Sequence, residues 1–202
     1  MKRQLEPMRV IAGRWRGRAL KCVNLRDLRP LTDRVKKTIF DVLGARVEDA
    51  VVSDLFAGCG SFGIEALSRG AKSVTFVEIS QQALKIIAEN LQRFQSQESY
   101  ELVREDAYRF LKFAAQKGHQ YDLIFVDPPY RLPQTDKFFH FFSTHLILKK
   151  DGILVYRHYR RETFSHIPAP LVLDQQKRFG ETTVSFFSVE DDNENCHLSG
   201  DI

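Results

Sequence analysis

The fold is decided by residues 51–63, which read VVSDLFAGCGSFG. An apolar run, Val51 to Phe56, leads into glycines at positions 58, 60 and 63, in the pattern G-x-G-x-x-G. Glycines in such a loop permit a tight turn and let a ligand approach the backbone closely. The stretch therefore predicts a β-strand, a ligand-binding loop and a helix, with a candidate loop set of Phe56, Ala57, Gly58 and Gly60.

Downstream of this stretch, strand patterns alternate with helix patterns. Residues 121–126 (YDLIFV) are apolar throughout, as in strands that are buried on both faces of a parallel sheet. The other predicted strands are 73–79, 100–103, 152–156, 171–178 and 182–189, and the predicted helices are 62–69, 81–94, 107–116, 137–148 and one that begins at Thr32-Asp33. This order predicts an α/β protein with a Rossmann-like, mostly parallel, doubly wound sheet of seven strands.

The N-terminal part differs from the rest in pattern and in charge. Residues 8–21 (MRVIAGRWRGRALK) predict a short β-hairpin appendage with outward arginines and no core of its own. Residues 1–37 hold 12 Lys or Arg and three acidic residues, against 18 and 23 in the remainder. We expect a basic arm over 1–31 that meets a polyanion, a main domain over 32–189 and a polar, disordered tail over 190–202. A merely solvated cationic surface is the alternative.

Composition narrows the class of protein. With 202 residues and 43% hydrophobic content, the chain can bury a substantial core. The three cysteines, Cys22, Cys59 and Cys196, are widely spaced, which predicts reduced thiols and no metal site. No stretch approaches the roughly 20 apolar residues of a membrane span, and no secretory signal is seen, so we expect a cytoplasmic protein.

Acidic residues follow three successive predicted strands. Asp54 precedes the glycine loop, Glu78 ends the second strand, and Asp106, with Ala107, follows the third. In doubly wound sheets, ligands bind outside the carboxyl ends of the strands. The three carboxylates together predict a pocket for an adenosine that carries a cationic amino-acid arm, although Asp54 and Asp106 could instead order a loop and cap a helix.

The most specific motif follows the fourth strand: Asp127, Pro128, Pro129 and Tyr130. Two prolines make this loop stiff and remove two backbone donors. An amino group conjugated to a nucleic-acid base is a poor nucleophile, because its lone pair is delocalised. If the Asp127 carboxylate and the Pro128 carbonyl each accept one of its N–H bonds, the lone pair is aimed at an in-line methyl group, while Tyr130 stacks on the base. A rigid turn with a core tyrosine is the alternative.

With this motif, the chain resembles class I methyltransferases that carry a D/N-P-P-Y/F sequence. It is most similar to the bacterial family that methylates N2 of guanine 966 in 16S ribosomal RNA. The resemblance runs from Met8 to Val189. Its pieces here are Arg9 to Arg18, Arg29 to Arg34, Asp54 to Gly60, Glu65 to Ala71, Asp127 to Tyr130 and Arg178 to Gly180.

The resemblance implies S-adenosylmethionine as cofactor, with the methionine part near Asp54 and the glycine loop, the ribose at Glu78 and the adenine at Asp106 and Ala107. It implies that Thr32, Asp33 and Arg34 close over the site from the N-terminal side; a helix cap with an ion pair is the alternative. It also implies that the N-terminal hairpin contacts RNA, through a set that comprises Arg9, Arg14, Arg16 and Arg18. The expected partner is 16S rRNA, as part of a small-subunit assembly particle or free, and we expect a monomer.

Two departures limit this transfer. The fifth strand ends in Tyr156-Arg157-His158, where relatives often have an acidic residue, so no role passes to Arg157. Cys59 and Phe62 stand where relatives often carry small residues; Cys59 is predicted to be a buried, inert thiol. A DNA or RNA adenine-N6 methyltransferase, a nicotinamide-dependent oxidoreductase and a non-enzymatic RNA-binding factor stay open as alternatives.

Overall fold

A computed structural model describes residues 8–22, 32–129, 135–164 and 166–190. Its centre is one seven-stranded sheet in the order β3-β2-β1-β4-β5-β7-β6. The strands are β1 Val51–Leu55, β2 Ser73–Val77, β3 Ser99–Val103, β4 Tyr121–Val126, β5 Leu148–Tyr159, β6 Leu171–Phe179 and β7 Thr182–Val189. Strands β1 to β5 are parallel, and β7 runs antiparallel between β5 and β6. The predicted α/β class and mostly parallel sheet are confirmed.

In the described residues, five α-helices cover the two faces of this sheet. They are α1 Asp33–Leu43, α2 Ser61–Ser68, α3 Gln81–Arg93, α4 Ala107–Gln116 and α5 Thr135–Thr144. Helices α1 to α3 pack residues such as Phe40 and Ile64 into one core cluster, and α4 and α5 pack residues such as Leu111 and Phe139 into the other. Because both faces are covered, the central strands are apolar on both sides, as the sequence predicts.

The N-terminal segment 8–22 has no core of its own and packs its apolar residues into the main core. Its strand pairing is a single antiparallel bridge between Arg9 and Ala19. Val10, Trp15 and Leu20 are at most 6% exposed and belong to the cluster of the α1–α3 face. The boundary at residue 31 stays a prediction, because residues 23–31 lie outside the described part of the chain.

Buried polar contacts fasten this segment to α1 and α2. The Glu65 carboxylate, fully buried, accepts the backbone N–H groups of Ile11 and Ala12 at 2.7 and 3.0 Å. Lys36, also fully buried, donates to the Arg9 carbonyl at 2.5 Å and lies 3.4 Å from Glu65. Since an isolated buried charge is costly, Lys36 needs Glu65, which also accepts the Nε–H of Arg69 at 2.8 Å, and these contacts tie the segment to both helices.

The boundaries of β5 and α5 differ most from the predicted ones. Strand β5 was expected over 152–156 and spans Leu148–Tyr159, whereas α5 was expected over 137–148 and ends at Thr144. The extension of β5 carries Arg157 and His158, both buried, which pair with β7. In the parts of the chain that are described, no helix is both long enough and apolar enough to span a membrane.

Candidate active site

The predicted site lies where the strand order reverses, between β1 and β4. Strands to one side of this point continue as β2 and β3, and those to the other side as β5, β7 and β6. The glycine loop follows β1 and Asp127 follows β4, so two neighbouring parallel strands deliver both to the same edge of the sheet. This is the edge at which doubly wound sheets bind their ligands.

The glycine loop has a backbone that most residues avoid. Gly58 and Gly60 have φ values of 56° and 76°, and Phe56, which is not a glycine, has 59°. A β-carbon on Gly60 would lie 3.0–3.3 Å from side-chain atoms of Ile87, Phe76 and Ile64. Loop residues held in such a conformation cost energy and cluster at functional sites, where surrounding structure fixes them. The packing under Gly60 supplies that constraint.

Asp54 lies under this loop with 1% exposure, and its Oδ2 accepts the Gly63 N–H at 2.9 Å. Burial raises the pKa of the Asp54 carboxyl well above its usual value, the Gly63 hydrogen bond opposes the rise, and the carboxylates of Asp127 and Glu78 add to it. A cationic ligand placed among these three groups would favour the ionised form. The arrangement therefore suits a ligand with a positive charge.

Glu78 and Asp106 both make local hydrogen bonds. Glu78 accepts the N–H groups of Gly58 and Ser80, each at 2.9 Å, which joins the end of β2 to the glycine loop. Asp106 caps α4, with its Oδ1 accepting the N–H groups of Tyr108 and Arg109 at 3.0 and 3.2 Å. The capping alternative for Asp106 is thus real, and Ala107 is the buried first residue of that helix.

A cavity of about 490 Å³ opens beside these groups. Its walls come from the loops after β1 and β4, from β5, from the N-terminal end of α4 and from α5, and they comprise Phe56, Asp106, Tyr108, Pro128, Lys137, Phe138, Phe141 and Tyr156. Pockets for small ligands have this range of volume and are mostly apolar and aromatic, with a few polar groups. Of the predicted residues, the cavity brings together Phe56, Asp106 and Pro128.

Several residues near the site were missed by sequence reasoning. Tyr108, Lys137 and Phe141 line the cavity from α4 and α5, and the Lys137 ammonium lies 5.3 Å from the Tyr108 ring centre. Ile79, directly after Glu78, is 66% exposed, which is unusual for isoleucine. A large apolar side chain directly after a strand-end carboxylate is a signal that could have identified Ile79.

The structure describes the predicted catalytic loop from Asp127 to Pro129. Asp127 is 20% exposed at its side chain and accepts the Nε–H of buried Arg157 at 2.7 Å. Pro128 faces the cavity and Pro129 is exposed. Tyr130 lies outside the described residues, so its predicted stacking role stays a prediction.

The predicted N-terminal contacts lie elsewhere. Thr32 caps α1, as its Oγ1 accepts the Val35 N–H at 3.4 Å. Arg34 is exposed and lines a second cleft of about 300 Å³ together with Arg9, Arg16 and Lys37. The structure thus does not bring Arg34 to the cavity beside Asp106, and its role toward a cofactor stays a prediction.

The predicted RNA-contacting arginines differ in their surroundings. Arg9 pairs with Asp33 at 2.7 Å, and Arg14 pairs with Glu98. The Arg18 guanidinium lies 4.9 Å from the Phe94 ring centre. Arg9 and Arg16 share the cleft beside α1, which the other two do not line. The structure therefore divides the arginines between two surfaces.

The departures from the family pattern have structural partners. Phe62 is buried and stacks on Phe125 with ring centres 5.1 Å apart. The Cys59 sulfur lies 2.6 Å from that of Cys22; their hydrogen bond lowers the pKa of the exposed Cys22 thiol and, together with burial, raises the pKa of Cys59. Cys59 is therefore protonated and poorly nucleophilic, whereas the neighbouring Cys22 is the more easily ionised thiol of the pair.

His158 has the features of a structural histidine. Its Nε2 lies 2.8 Å from Ser185 Oγ and its Nδ1 lies 3.0 Å from the Tyr159 carbonyl oxygen. Burial lowers the pKa of its ring, so the ring is neutral at neutral pH. Both ring nitrogens are engaged, which favours the structural role over a contact with a substrate base.

Comparison with known proteins places the chain in a family. A family model described as "Conserved hypothetical protein 95" matches residues 8–188. The ribosomal RNA small subunit methyltransferase D of Escherichia coli K12 is 31% identical over 183 residues, which cover 91% of this chain and 90% of that protein. Its Haemophilus influenzae namesake is 43% identical over 124 residues, or 61% and 64% of the two chains. The chain belongs to this family.

Solved structures agree with this membership. The Escherichia coli protein yhhF has a TM-score of 0.80 and 30% identity, with 91% of this chain and 98% of that chain covered. A hypothetical protein of Thermus thermophilus has a TM-score of 0.78 and 26% identity, with 90% and 99% covered. These findings confirm the predicted family, the class I methyltransferase fold and an S-adenosylmethionine-dependent methyltransferase activity.

Proposed function

We propose that this protein transfers a methyl group from S-adenosylmethionine to the exocyclic N2 amino group of a guanine in 16S ribosomal RNA. The observation that carries the proposal is the Asp127-Pro128 loop at the carboxyl end of β4, beside the cavity. Relatives named ribosomal RNA small subunit methyltransferase D support the choice of RNA. We infer that the enzyme acts in the cytoplasm as a monomer, with an assembling small subunit as its substrate.

The residues at the switch point fit the cofactor. The Gly58–Gly60 loop exposes backbone to a ligand, and buried Asp54 provides negative charge for an ammonium or sulfonium group. We assign the ribose hydroxyls to Glu78, whose carboxylate keeps lone pairs beyond its two local hydrogen bonds, and the adenine to the cavity that Asp106 lines. When bound, S-adenosylmethionine supplies a methyl group on a positively charged sulfur, which departs as a neutral thioether and is therefore a good leaving group.

The protein's chemical task is to present an amino nitrogen. The Asp127 carboxylate accepts one N–H of the target amino group and the Pro128 carbonyl accepts the other. This arrangement favours a pyramidal nitrogen, and catalysis rests on positioning and on hydrogen bonds to the developing charge. The proton then leaves late, to the Asp127 carboxylate or to water. Tyr156 is a poor proton carrier, because burial raises the pKa of its phenol far above its usual value.

The cleft between the N-terminal segment and α1 suits the RNA backbone. It is lined by four cationic side chains and one carboxylate, namely Arg9, Arg16, Arg34, Lys37 and Asp33. Contacts between such cations and phosphates release counterions, so binding weakens steeply as salt rises. The RNA-binding surface we propose therefore extends from Arg9 and Arg16 onto α1, which sequence reasoning did not assign to RNA.

Label transfer from methyl-labelled S-adenosylmethionine tests the proposal. Unmodified 16S rRNA, small-subunit particles and DNA are incubated in parallel, digested to nucleosides and analysed by mass spectrometry. Asp127→Ala should abolish transfer, while Asp151→Ala, which removes an exposed carboxylate near the start of β5, should leave it intact. N2-methylguanosine in RNA is the expected product. N6-methyladenosine, or label in DNA, would instead establish the adenine-N6 alternative.

A further inference from the structure

Arg157 is a buried cation beside the proposed catalytic loop. Strand β5 pairs with β4 through Val126 and Tyr156, so the next residue on each strand, Asp127 and Arg157, are neighbours. Alternate residues of a strand share a face. Val155 and Phe125 belong to the core cluster of the α1–α3 face, and Arg157 and Asp127 follow them two positions on.

The contact between these two side chains has the geometry of a strong ion pair. Arg157 Nε lies 2.7 Å from Asp127 Oδ1, and the two side chains are 4% and 20% exposed. Among the described residues, the Asp127 hydrogen bond is made through Oδ1, and Oδ2 has no partner. Because a guanidinium is planar and rigid, it restricts the rotation of the carboxylate that it holds. Arg157 thus fixes one oxygen of Asp127 and leaves the other available to accept a hydrogen bond.

The electrostatics of the switch point give this cation a second effect. Asp127 and Glu78 both act on the buried carboxyl of Asp54 as like charges. Of the groups near Asp127, Asp54 is a carboxyl group, Tyr156 is a neutral phenol and Arg157 is a cation. A guanidinium against Asp127 offsets the repulsion among these carboxylates, so Asp127 can sit at the site as an acceptor.

We propose that Arg157 is a positioning residue that orients the Asp127 carboxylate so that Oδ2 accepts the N–H of the target amino group. This inference rests on the proposed function, because it assigns the second oxygen to the substrate. A charged acceptor at 127 is matched by a cation from the next strand.

Arg157→Met, Arg157→Lys, Asp127→Asn and the double variant Asp127→Asn/Arg157→Met test the role. Misplacing a reacting group by about 1 Å costs about 100-fold in rate, so we expect kcat of Arg157→Met to fall about 100-fold while KM for RNA and Kd for S-adenosylmethionine change little. Arg157→Lys should recover part of the rate, since an ammonium supplies charge without the planar fork. Arg46→Met, an exposed arginine ahead of β1, is the control that should keep full activity.

The double variant separates positioning from simple loss of charge. Asparagine at 127 is neutral, so in the Arg157 background the buried guanidinium loses the charge that faces it at 127, whereas with methionine at 157 neither charge of this pair remains. We expect the double variant to transfer methyl groups faster than the product of the two single losses predicts. Additive losses would refute coupling between the two side chains.

A crystal structure of Arg157→Met gives a readout that does not depend on activity. We expect the Asp127 carboxylate to turn from the orientation that the Arg157 contact fixes. An unchanged carboxylate, or an unchanged kcat in a folded Arg157→Met protein, would overturn the proposal. If the wild-type enzyme transfers no label to RNA, the proposed function fails on its own, and the orientation of Asp127 in the variant still decides the role of Arg157.

Discussion

Replacing Trp15 with alanine should destabilise the whole protein, because the N-terminal segment is part of the core. Trp15 is 3% exposed, and its ring centre lies 5.5 Å from that of Phe94 at the end of α3. Its backbone N–H donates to Ser68 Oγ at 3.0 Å, at the end of α2. Loss of this side chain would leave a cavity between two helices that cannot easily close it.

The magnitude follows from the burial of the indole. Truncating a buried tryptophan to alanine costs about 3–5 kcal/mol in free energy of unfolding. For a chain of this length, each kcal/mol lowers Tm by roughly 2–4 °C, so the melting temperature should fall by about 6–20 °C. Arg16→Ala, next in sequence and exposed, should change the free energy of unfolding by no more than about 0.5 kcal/mol.

Urea unfolding measures both the cost and its cause. Trp15 is the only tryptophan in the chain, so its fluorescence reports on the N-terminal segment and circular dichroism at 222 nm on the helices. The two transitions of the wild-type protein should coincide, as in cooperative unfolding. A fluorescence transition at lower urea, or a Trp15→Ala protein whose midpoint matches that of Arg16→Ala, would show that the segment is a detachable arm.

Three further predictions concern titratable groups. Burial raises the pKa of Asp54, so ionisation of this carboxyl group opposes folding as the pH rises above about 3.9. Asp54→Asn should therefore raise the Tm of the cofactor-free protein at pH 7, and it should weaken S-adenosylmethionine binding, measured by calorimetry, about 10–100-fold. An unchanged affinity would refute the ligand role. Burial lowers the pKa of His158, so the unfolded chain binds the extra proton and stability should fall as the pH drops below about 6.5; in urea unfolding, His158→Gln should show a shallower fall, and an identical slope would contradict this. Since Cys59 lowers the pKa of Cys22, iodoacetamide should modify Cys22 before Cys59, and Cys59→Ala should slow the modification of Cys22 at neutral pH. Peptide mass spectrometry measures both rates, and equal rates of Cys22 modification in the two proteins would contradict the prediction.

The central sheet could be predicted because its signals are local. The apolar run at 121–126 matches β4 residue for residue, and the helix predicted over 107–116 matches α4. The end of β5 could not be predicted in the same way, because Arg157 and His158 follow the apolar run. Their burial depends on Asp127 and Ser185, which lie about 30 residues away in opposite directions along the chain. Polar residues such as Arg157 and His158 are buried only when folding brings their hydrogen-bonding partners next to them.

The N-terminal segment shows the same limit. Its mixture of arginines and glycines is typical of an exposed hairpin, and its arginines are in fact exposed. The local pattern does not reveal the surface of α2 against which the segment packs. There, Glu65 and Ser68 accept N–H groups from residues more than 50 positions earlier. A β-carbon on Gly13 would lie 1.8 Å from the Ser68 carbonyl oxygen, so this glycine permits close packing as well as a turn.

The acidic residues of the site explain why sequence reasoning left two roles open for them. A carboxylate has two oxygens and about four lone-pair positions, so a local bond does not exhaust it. Among the described residues, Asp54 uses Oδ2 for Gly63, Asp106 uses Oδ1 for the cap of α4, and Asp127 uses Oδ1 for Arg157. In each case the local bond holds the carboxylate still, which is what a binding group needs. Ordering a loop and receiving a ligand are therefore compatible at these positions, and the two roles can be told apart only by measuring stability and binding on the same variant.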